Sequence, residues 1–221
     1  WAGDDRVLAS RFNNLEQRRC EIVSIDIYTK VVEPVKNCAD RAMTVLAFSK
    51  QNNTLYFNYR VGISSPYSIY GYQLETKRFK QITLPYSGGN LRGDYVLALS
   101  PDQSQIAVFE YQSNGTSTLK FIDLSTQQET RHDFPFNSLS TLAWLSNEEL
   151  VISDGEGLKR YNVVSKQVDT MTTNRDIGHV AVNRETGAVA FEKSDVVINI
   201  FQHQLSSPNE SQTIEHVQEL P

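Results

Sequence analysis

Residues 97–108 have the sequence Leu97-Ala98-Leu99-Ser100-Pro101-Asp102-Gln103-Ser104-Gln105-Ile106-Ala107-Val108, two apolar segments on either side of a polar turn. Apolar segments that flank turn-forming residues are typical of an antiparallel β-hairpin. The same arrangement begins again at Leu46, Leu142 and Val180. The Ala of the first segment recurs at positions 47, 98, 143 and 181, with spacings of 51, 45 and 38 residues. These spacings bracket the roughly 40–45 residues of a four-stranded propeller blade, so the chain is predicted to be a repeat protein.

A third strand and its turn form a second recurring feature. Alternating strands end in short turns with Ser or Thr near the centre at 25–30, 71–77, 121–127 and 160–166. Each unit then continues with a fourth, more polar strand. The third unit, with Ser100-Pro101-Asp102-Gln103-Ser104-Gln105-Ile106-Ala107 followed by Ile122-Asp123-Leu124, resembles the blade motif of TolB-type (WD40-like) β-propellers. The turn glycines of that family are replaced here by Gln103, Lys30 and Gln127.

The repeats predict an all-β fold, a single β-propeller domain over residues 1–221 with about five four-stranded blades, either incomplete or part of a longer chain. The blades are predicted at approximately 1–40, 41–92, 93–138, 139–176 and 177–219. The first lacks a clear innermost strand, because residues 5–12 resemble a second strand. Residues 212–217 alternate well enough to be a strand, which either completes the fifth blade or supplies the innermost strand of the first. Because the chain begins at Trp1 rather than Met, we expect it to be a processed or excised piece of something longer.

Composition and charge exclude several classes of protein. The chain is 39% hydrophobic and 21% charged, which is ordinary for a globular domain, and no segment keeps a helical apolar period for three turns. It contains no run of eighteen apolar residues, so no membrane span is expected within it. The net charge is −5 and the only short basic cluster is Arg18-Arg19, whereas nucleic acid binding needs a concentrated basic patch. Direct contact with DNA or RNA is therefore not expected.

The two cysteines are predicted to form a disulfide bond. If a hairpin turns at residues 28–30, the two residue numbers of each facing pair add up to 58. The numbers of Cys20 and Cys38 also add up to 58, so the two cysteines should face each other. Residues that face each other across an antiparallel pair have Cβ atoms about 4.5–5.5 Å apart, close to what a disulfide requires. The alternative is two buried free thiols. A disulfide indicates an oxidising compartment, which for a TolB-like scaffold means the bacterial periplasm.

The sequence predicts no catalytic residue, no metal site and no cofactor. The four histidines, at 132, 179, 203 and 216, lack the spacing of metal ligands. His132 and Asp133 are neighbours on a strand and would point to opposite faces, so a solvated strand end is expected there rather than a catalytic pair. Residues 154–157 superficially resemble a calcium loop, but a tight hairpin explains their two glycines better. We therefore expect this chain not to be an enzyme.

Tyrosine is concentrated in one part of the chain. Six of the ten tyrosines lie between residues 56 and 86, around the loop of residues 60–66. Tyrosine suits both strand packing and interfaces, since it joins a large ring to a polar tip. Strand packing between blades is one interpretation. The other is a face of the ring that binds a partner, formed by Tyr59, Arg60, Tyr67 and Tyr111.

The resemblance to TolB-type propellers implies three classes of function. TolB-like propellers occur as the C-terminal periplasmic domain of membrane-anchored transcription regulators of the CadC/ToxR type, so we expect a periplasmic sensory or protein-interaction domain that is tethered to the inner membrane. Its partner would be a protein or a small signal molecule in the periplasm. The alternatives are a free TolB-like periplasmic scaffold protein and a propeller hydrolase or lactonase, although no set of acidic metal ligands supports the last.

Overall fold

Antiparallel β-sheets make up the secondary structure of this protein. The computed structural model describes residues 5–12, 20–37, 46–62, 64–85, 92–111, 117–132, 141–175 and 177–193. Within these ranges the regular elements are strands and no helix occurs. The expected all-β fold is confirmed, and its cause is the succession of short apolar segments separated by polar turns.

In the described part of the chain the strands form five sheets, and the strands of each sheet are hydrogen-bonded in chain order. Sheet 1 contains β1 (Arg6–Phe12), β2 (Cys20–Asp26) and β3 (Val32–Asn37). Sheet 2 contains β4 (Leu46–Ser49), β5 (Thr54–Tyr59), β6 (Ser68–Gln73) and β7 (Phe79–Gln81). Sheet 3 contains β8 (Gly93–Leu99), β9 (Gln105–Tyr111), β10 (Ser117–Asp123) and β11 (Glu129–His132). Sheet 4 contains β12 (Thr141–Trp144), β13 (Glu149–Ser153), β14 (Leu158–Asn162) and β15 (Val168–Thr172). Sheet 5 contains β16 (Ile177–Asn183) and β17 (Ala188–Lys193).

Each sheet lies within one of the five predicted repeat units. Sheets 2, 3 and 4 have the expected four strands, and the last strand of each is the most exposed, as its polar composition predicts. Sheet 1 has three strands in the described part of the chain, and sheet 5 has two. The predicted strand at residues 212–217 lies outside the described residues, so the number of blades and the way in which the ring closes remain predictions.

The hydrophobic core is divided among the gaps between consecutive sheets. One cluster joins sheets 1 and 2 around Ile22 and Phe57, and the next joins sheets 2 and 3 around Ile69 and Val108. Sheets 3 and 4 pack around Trp144, and sheets 4 and 5 pack around smaller apolar residues. Both faces of an interior sheet are therefore buried, which explains why strands such as β9 are apolar along most of their length rather than alternating. Sequential face-to-face packing of this kind is the architecture of a propeller.

The recurring turn after the third strand has one geometry. The Oδ1 atom of Asp123 accepts hydrogen bonds from the backbone N–H groups of Ser125 at 2.9 Å and Thr126 at 2.8 Å, and Gln127 follows with a φ of 62°. The corresponding turns after Asp26 and Asn162 are alike. The three residues expected to replace the turn glycines of the TolB-type family, Lys30, Gln103 and Gln127, all have positive φ, between 60° and 62°. The backbone requires the left-handed conformation there, although glycine is absent.

Candidate functional site: an arginine and tyrosine surface

The structure places the four predicted interface residues at the same end of sheets 2 and 3. Tyr59 is the last residue of β5, Arg60 follows it, and Tyr67 lies directly before β6. Tyr111 is the last residue of β9. In an antiparallel sheet, the end of one strand and the start of the next lie at the same end of the sheet, so the strand order itself brings these positions together.

Two arginines lie over tyrosine rings at this end of sheets 2 and 3. The guanidinium carbon of Arg60 is 5.1 Å from the centre of the Tyr67 ring, and that of Arg92 is 4.7 Å from the centre of the Tyr111 ring. Tyr95 contacts Tyr67 edge to face, with ring centres 5.7 Å apart. Contacts of a cation with a ring face contribute about 0.5–1 kcal/mol each at exposed sites and hold the side chains in place.

Tyr59 does not join this group. Its ring meets those of Tyr70 and Phe79 edge to face, at 5.3 and 5.7 Å, and it packs against the apolar cluster between sheets 1 and 2. The strand-packing interpretation therefore describes Tyr59, as well as the buried Tyr56 and Tyr72. The sequence could not separate these residues, because a tyrosine at a strand end can turn toward either the neighbouring sheet or the solvent.

Four residues of this surface were not predicted from the sequence. Arg92 and Tyr95 lie on either side of the start of β8 and had not been singled out. Val61 and Leu84 are 67% and 80% exposed, and they line a shallow recess of about 220 Å³. A single exposed valine or leucine in a loop has no sequence pattern that would predict an interface, so only the position of Val61 and Leu84 beside the arginines identifies them. We call the set Arg60, Val61, Tyr67, Leu84, Arg92, Tyr95 and Tyr111 the Arg–Tyr surface.

Backbone contacts join the two halves of the Arg–Tyr surface. The Tyr67 N–H donates to the carbonyl of Arg92 at 2.8 Å, and the Asp94 N–H donates to the carbonyl of Tyr67 at 2.9 Å. Gly93, between them, has a φ of 67°, and a Cβ atom there would lie 2.5 Å from the Tyr67 carbonyl oxygen. Only glycine permits this close approach, so Gly93 sets the spacing between the two arginine–tyrosine pairs.

A buried ionic cluster lies directly beneath this junction. The Lys120 Nζ atom is 2.6 Å from Oδ1 of Asp94 and 3.4 Å from Oε1 of Glu110, and all three side chains are fully buried. Arg131 binds Glu110 from the outer strand at 2.9 Å. Burial raises the pKa of Asp94 to about 6, against the lowering effects of Lys120 and Thr83. Because Asp94 follows Gly93, the cluster holds the backbone that carries Arg92 and Tyr95.

The residues considered for catalysis or metal binding are placed differently. His132 is the last residue of β11, so the predicted strand end is confirmed, but its side chain is only partly exposed and its Nδ1 atom lies 2.7 Å from the hydroxyl of Tyr161. Burial lowers the pKa of His132. The predicted hairpin at residues 154–157 is confirmed, with positive φ at both glycines. Within the described ranges, no group of three or more His, Cys, Asp or Glu residues is arranged to hold a metal ion.

Of the two cysteines predicted to form a disulfide, only Cys20 lies within the described residues. Cys20 is 1% exposed at the start of β2, and Cys38 lies outside the described residues. Near the turn the paired numbers sum to 57 rather than the predicted 58, as in Ile25 with Val32. A bulge after Ile22 restores 58, so that Glu21 pairs with Asn37. The predicted facing of Cys20 and Cys38 continues this register, and the bond itself remains a prediction.

Comparison with known proteins gives the fold but no family. No protein-family profile and no curated protein matches the chain. TolB from Acinetobacter baumannii superimposes with a TM-score of 0.71 at 15% identity, over 91% of this chain and 50% of that one. A putative TolB from Agrobacterium tumefaciens gives 0.65 at 12% identity, over 91% of this chain and 75% of that one. The fold is that of a TolB-type β-propeller.

The same architecture also occurs in enzymes. An oligogalacturonate lyase in complex with manganese gives a TM-score of 0.56 at 12% identity, over 72% of this chain and 44% of that one. At such identities the likeness concerns the fold alone. This chain spans half the length of the Acinetobacter TolB. No described helix is long and apolar enough to cross a membrane.

Proposed function

We propose that this chain is a protein-interaction propeller of the TolB type, which binds a periplasmic protein through the Arg–Tyr surface. The observation that carries the proposal is the continuity of two arginine–tyrosine pairs with the exposed side chains of Val61 and Leu84. Arginine and tyrosine are enriched among the residues that dominate protein interfaces, and exposed apolar side chains beside them supply area to bury.

We also propose that the chain binds rather than catalyses. The charged side chains of Lys120, Asp94 and Glu110 are fully buried and paired with each other, so a substrate cannot reach them. Metal-dependent hydrolysis of esters or lactones by the purified chain, lost on addition of a chelator, would overturn this part of the proposal.

Site-specific photocrosslinking tests the docking surface. A benzophenone-bearing residue is introduced at Leu84 or Tyr95, and at Tyr28 as a control. Tyr28 is 77% exposed in the turn after β2, at the opposite end of the sheets. The proposal expects a crosslinked partner from periplasmic extract at Leu84 and Tyr95 and none at Tyr28. Equal crosslinking at all three positions, or none at Leu84 and Tyr95, would contradict it.

The affinity of the captured partner then tests the arginines and tyrosines individually. Truncating a dominant interface residue costs on the order of 2 kcal/mol or more, which is a loss of about 30-fold in affinity. We expect Tyr67→Ala or Arg92→Ala to weaken binding by this amount, and Tyr28→Ala to leave the affinity unchanged. An unchanged affinity in both surface variants means that the Arg–Tyr surface is not the docking site.

The proposed cellular location rests on the resemblance to TolB-type propellers. A periplasmic location fits a TolB-type fold together with the proposed disulfide between Cys20 and Cys38. Attachment to a CadC/ToxR-type regulator and existence as a free scaffold protein are two versions of the proposal. The gene sequence upstream of Trp1 distinguishes them: about 20 consecutive apolar residues indicate the anchored regulator, and a cleavable signal indicates the free scaffold.

A further inference from the structure

A recess of about 520 Å³ lies between the outer part of sheet 2 and sheet 3. Its lining includes Tyr56 of β5 and Gly71 of β6, together with Ile82 and Leu124, which follow β7 and β10. The accessible wall is mainly apolar, and one side is open to solvent. An open apolar recess accepts a side chain of a partner protein better than a whole small molecule, which needs a more enclosed site.

Gly71 leaves space in the middle of this recess. It is an interior residue of β6, paired with Tyr56 on one side and Lys80 of β7 on the other, and neither pairing contains a bulge. Its φ is not in the left-handed region, so the backbone does not require glycine there. A Cβ atom would lie 3.3 Å from the Tyr56 ring and 3.5 Å from Ile82. Glycine weakens a strand interior, and where no bulge or bend explains it, it often marks a place where a ligand or another chain approaches closely.

The rim of the recess is positively charged. Arg78 and Lys80 line it and Lys77 precedes them, whereas no carboxylate belongs to the lining. In the described part of the chain none of these three cations forms an ion pair. Glu75, the nearest acidic residue along the chain, accepts a hydrogen bond from Asn53 at 3.2 Å. The rim therefore has the opposite sign to the whole chain, whose net charge is −5, and it attracts negatively charged groups.

Phe79 adds an aromatic side chain between these cations. The residue is 42% exposed, although its ring stacks on that of Tyr70 with centres 4.7 Å apart. The Nζ atom of Lys36, from sheet 1, lies 4.6 Å from the centre of the same ring. These contacts hold the ring in place before any partner binds. An aromatic side chain that is already ordered loses little conformational entropy when a partner covers it, so its contact area contributes fully to affinity.

We propose that this basic recess binds an acidic segment of a partner protein that carries an aromatic side chain. The aromatic ring enters the recess over Gly71, and the flanking carboxylates lie against Arg78 and Lys80. The planar guanidinium suits a carboxylate through two parallel hydrogen bonds. Exposed ion pairs contribute little free energy, so the ring supplies most of the affinity while the charges select and orient the segment. The basic recess lies at the opposite end of β5 and β6 from the Arg–Tyr surface, so it does not depend on docking there.

Titration of the full ¹⁵N-labelled chain with three capped peptides, followed by NMR, tests the proposal. The probe is Asp-Asp-Phe-Asp-Asp; Asn-Asn-Phe-Asn-Asn removes its charge, and Asp-Asp-Ala-Asp-Asp removes its ring. We expect the probe to shift the amide signals of Gly71 and Lys80, and each control to bind at least about fivefold more weakly. Equal binding of the probe and the alanine peptide, or no binding of the probe at millimolar concentration, would overturn the proposal. Binding to phosphatidylglycerol vesicles but to none of the peptides would do the same.

Variants then assign the binding to the recess. Gly71→Ala places a methyl group where the ring enters, and Arg78→Gln removes a cation from the rim, so each should weaken binding of the probe several-fold. Arg175→Gln removes the same charge from an exposed position after β15 and should leave the affinity unchanged. Circular dichroism and the melting temperature establish that the variants are folded. If Gly71→Ala and Arg78→Gln both retain the affinity, or if Arg175→Gln loses it equally, the probe does not bind in the basic recess.

Discussion

Lys120→Met should destabilise the protein by about 3–5 kcal/mol at pH 8. The substitution keeps most of the side-chain volume but removes the cation that lies 2.6 Å from Asp94 and 3.4 Å from Glu110, with all three side chains fully buried. At an effective dielectric constant of about 20, unit charges 2.6 Å apart attract by about 6 kcal/mol. Relaxation and water entry reduce the measured loss to about 3–5 kcal/mol when one partner of a buried pair is removed. That is a large part of the stability of a typical domain, about 5–15 kcal/mol.

The loss should shrink at pH 5 because Asp94 can take up a proton. Burial already raises the pKa of Asp94 to about 6, and Lys120 opposes that rise, so the pKa increases further in the variant. A carboxyl group whose pKa is higher in the folded than in the unfolded state destabilises the fold above its folded pKa. The penalty shrinks as the pH falls below that value and is gone only below the unfolded pKa, near 3.8. The variant should therefore recover part of its lost stability between pH 8 and pH 5.

Urea denaturation at pH 8 and pH 5 measures both effects. The matched control is Arg160→Met, since Arg160 forms a pair with Asp169 at 2.9 Å in which both side chains are 45% exposed. Exposed pairs contribute about 0–1 kcal/mol, so this control should change little. Adding Asp94→Asn to Lys120→Met should restore stability at pH 8. A loss below about 1 kcal/mol at pH 8, or an equal loss at both pH values, would refute the reasoning.

Three further predictions concern the turns, the cysteines and the fold. Gln127→Gly and Lys166→Gly should each stabilise the protein by about 0.5–1 kcal/mol, because both positions have a φ near 60°, which is strained for any residue other than glycine. As a control, Val164→Gly in the same turn as Lys166 should lower the melting temperature. Thiol titration of the denatured, unreduced protein should find no free thiol if Cys20 and Cys38 form a disulfide, and two free thiols would exclude the bond. A disulfide between cysteines 18 residues apart should stabilise the protein by roughly 3 kcal/mol. Far-UV circular dichroism should show little helix, and a helix content above about a fifth is incompatible with this fold.

Local chemistry made the sheets predictable from the sequence. A hairpin depends on residues close to each other in the chain, so apolar segments around polar turns located the units that became sheets 1 to 5. The same holds for the turns: Asp123 bonds to backbone groups two and three residues later, and Gln127 takes the left-handed conformation where a glycine was expected. Three strands are described in sheet 1, which agrees with the sequence because residues 5–12 have the pattern of a second strand.

Contacts between sheets, by contrast, were decided by the tertiary structure. Lys120, Asp94 and Glu110 have the polarity of solvent-facing strand residues, yet the packing of sheet 2 on sheet 3 buries them, and both carboxyl groups lie within ion-pair distance of the lysine. Tyr59 and Tyr67 have the same residue type near neighbouring strand ends, but one packs into the gap between sheets and the other lies under Arg60. Arg184 and Leu99 are 85 residues apart, and only the packing of sheets 3 to 5 against one another brings them together. No local pattern records such pairings, since their free energy arises from surfaces that meet only after the sheets have formed.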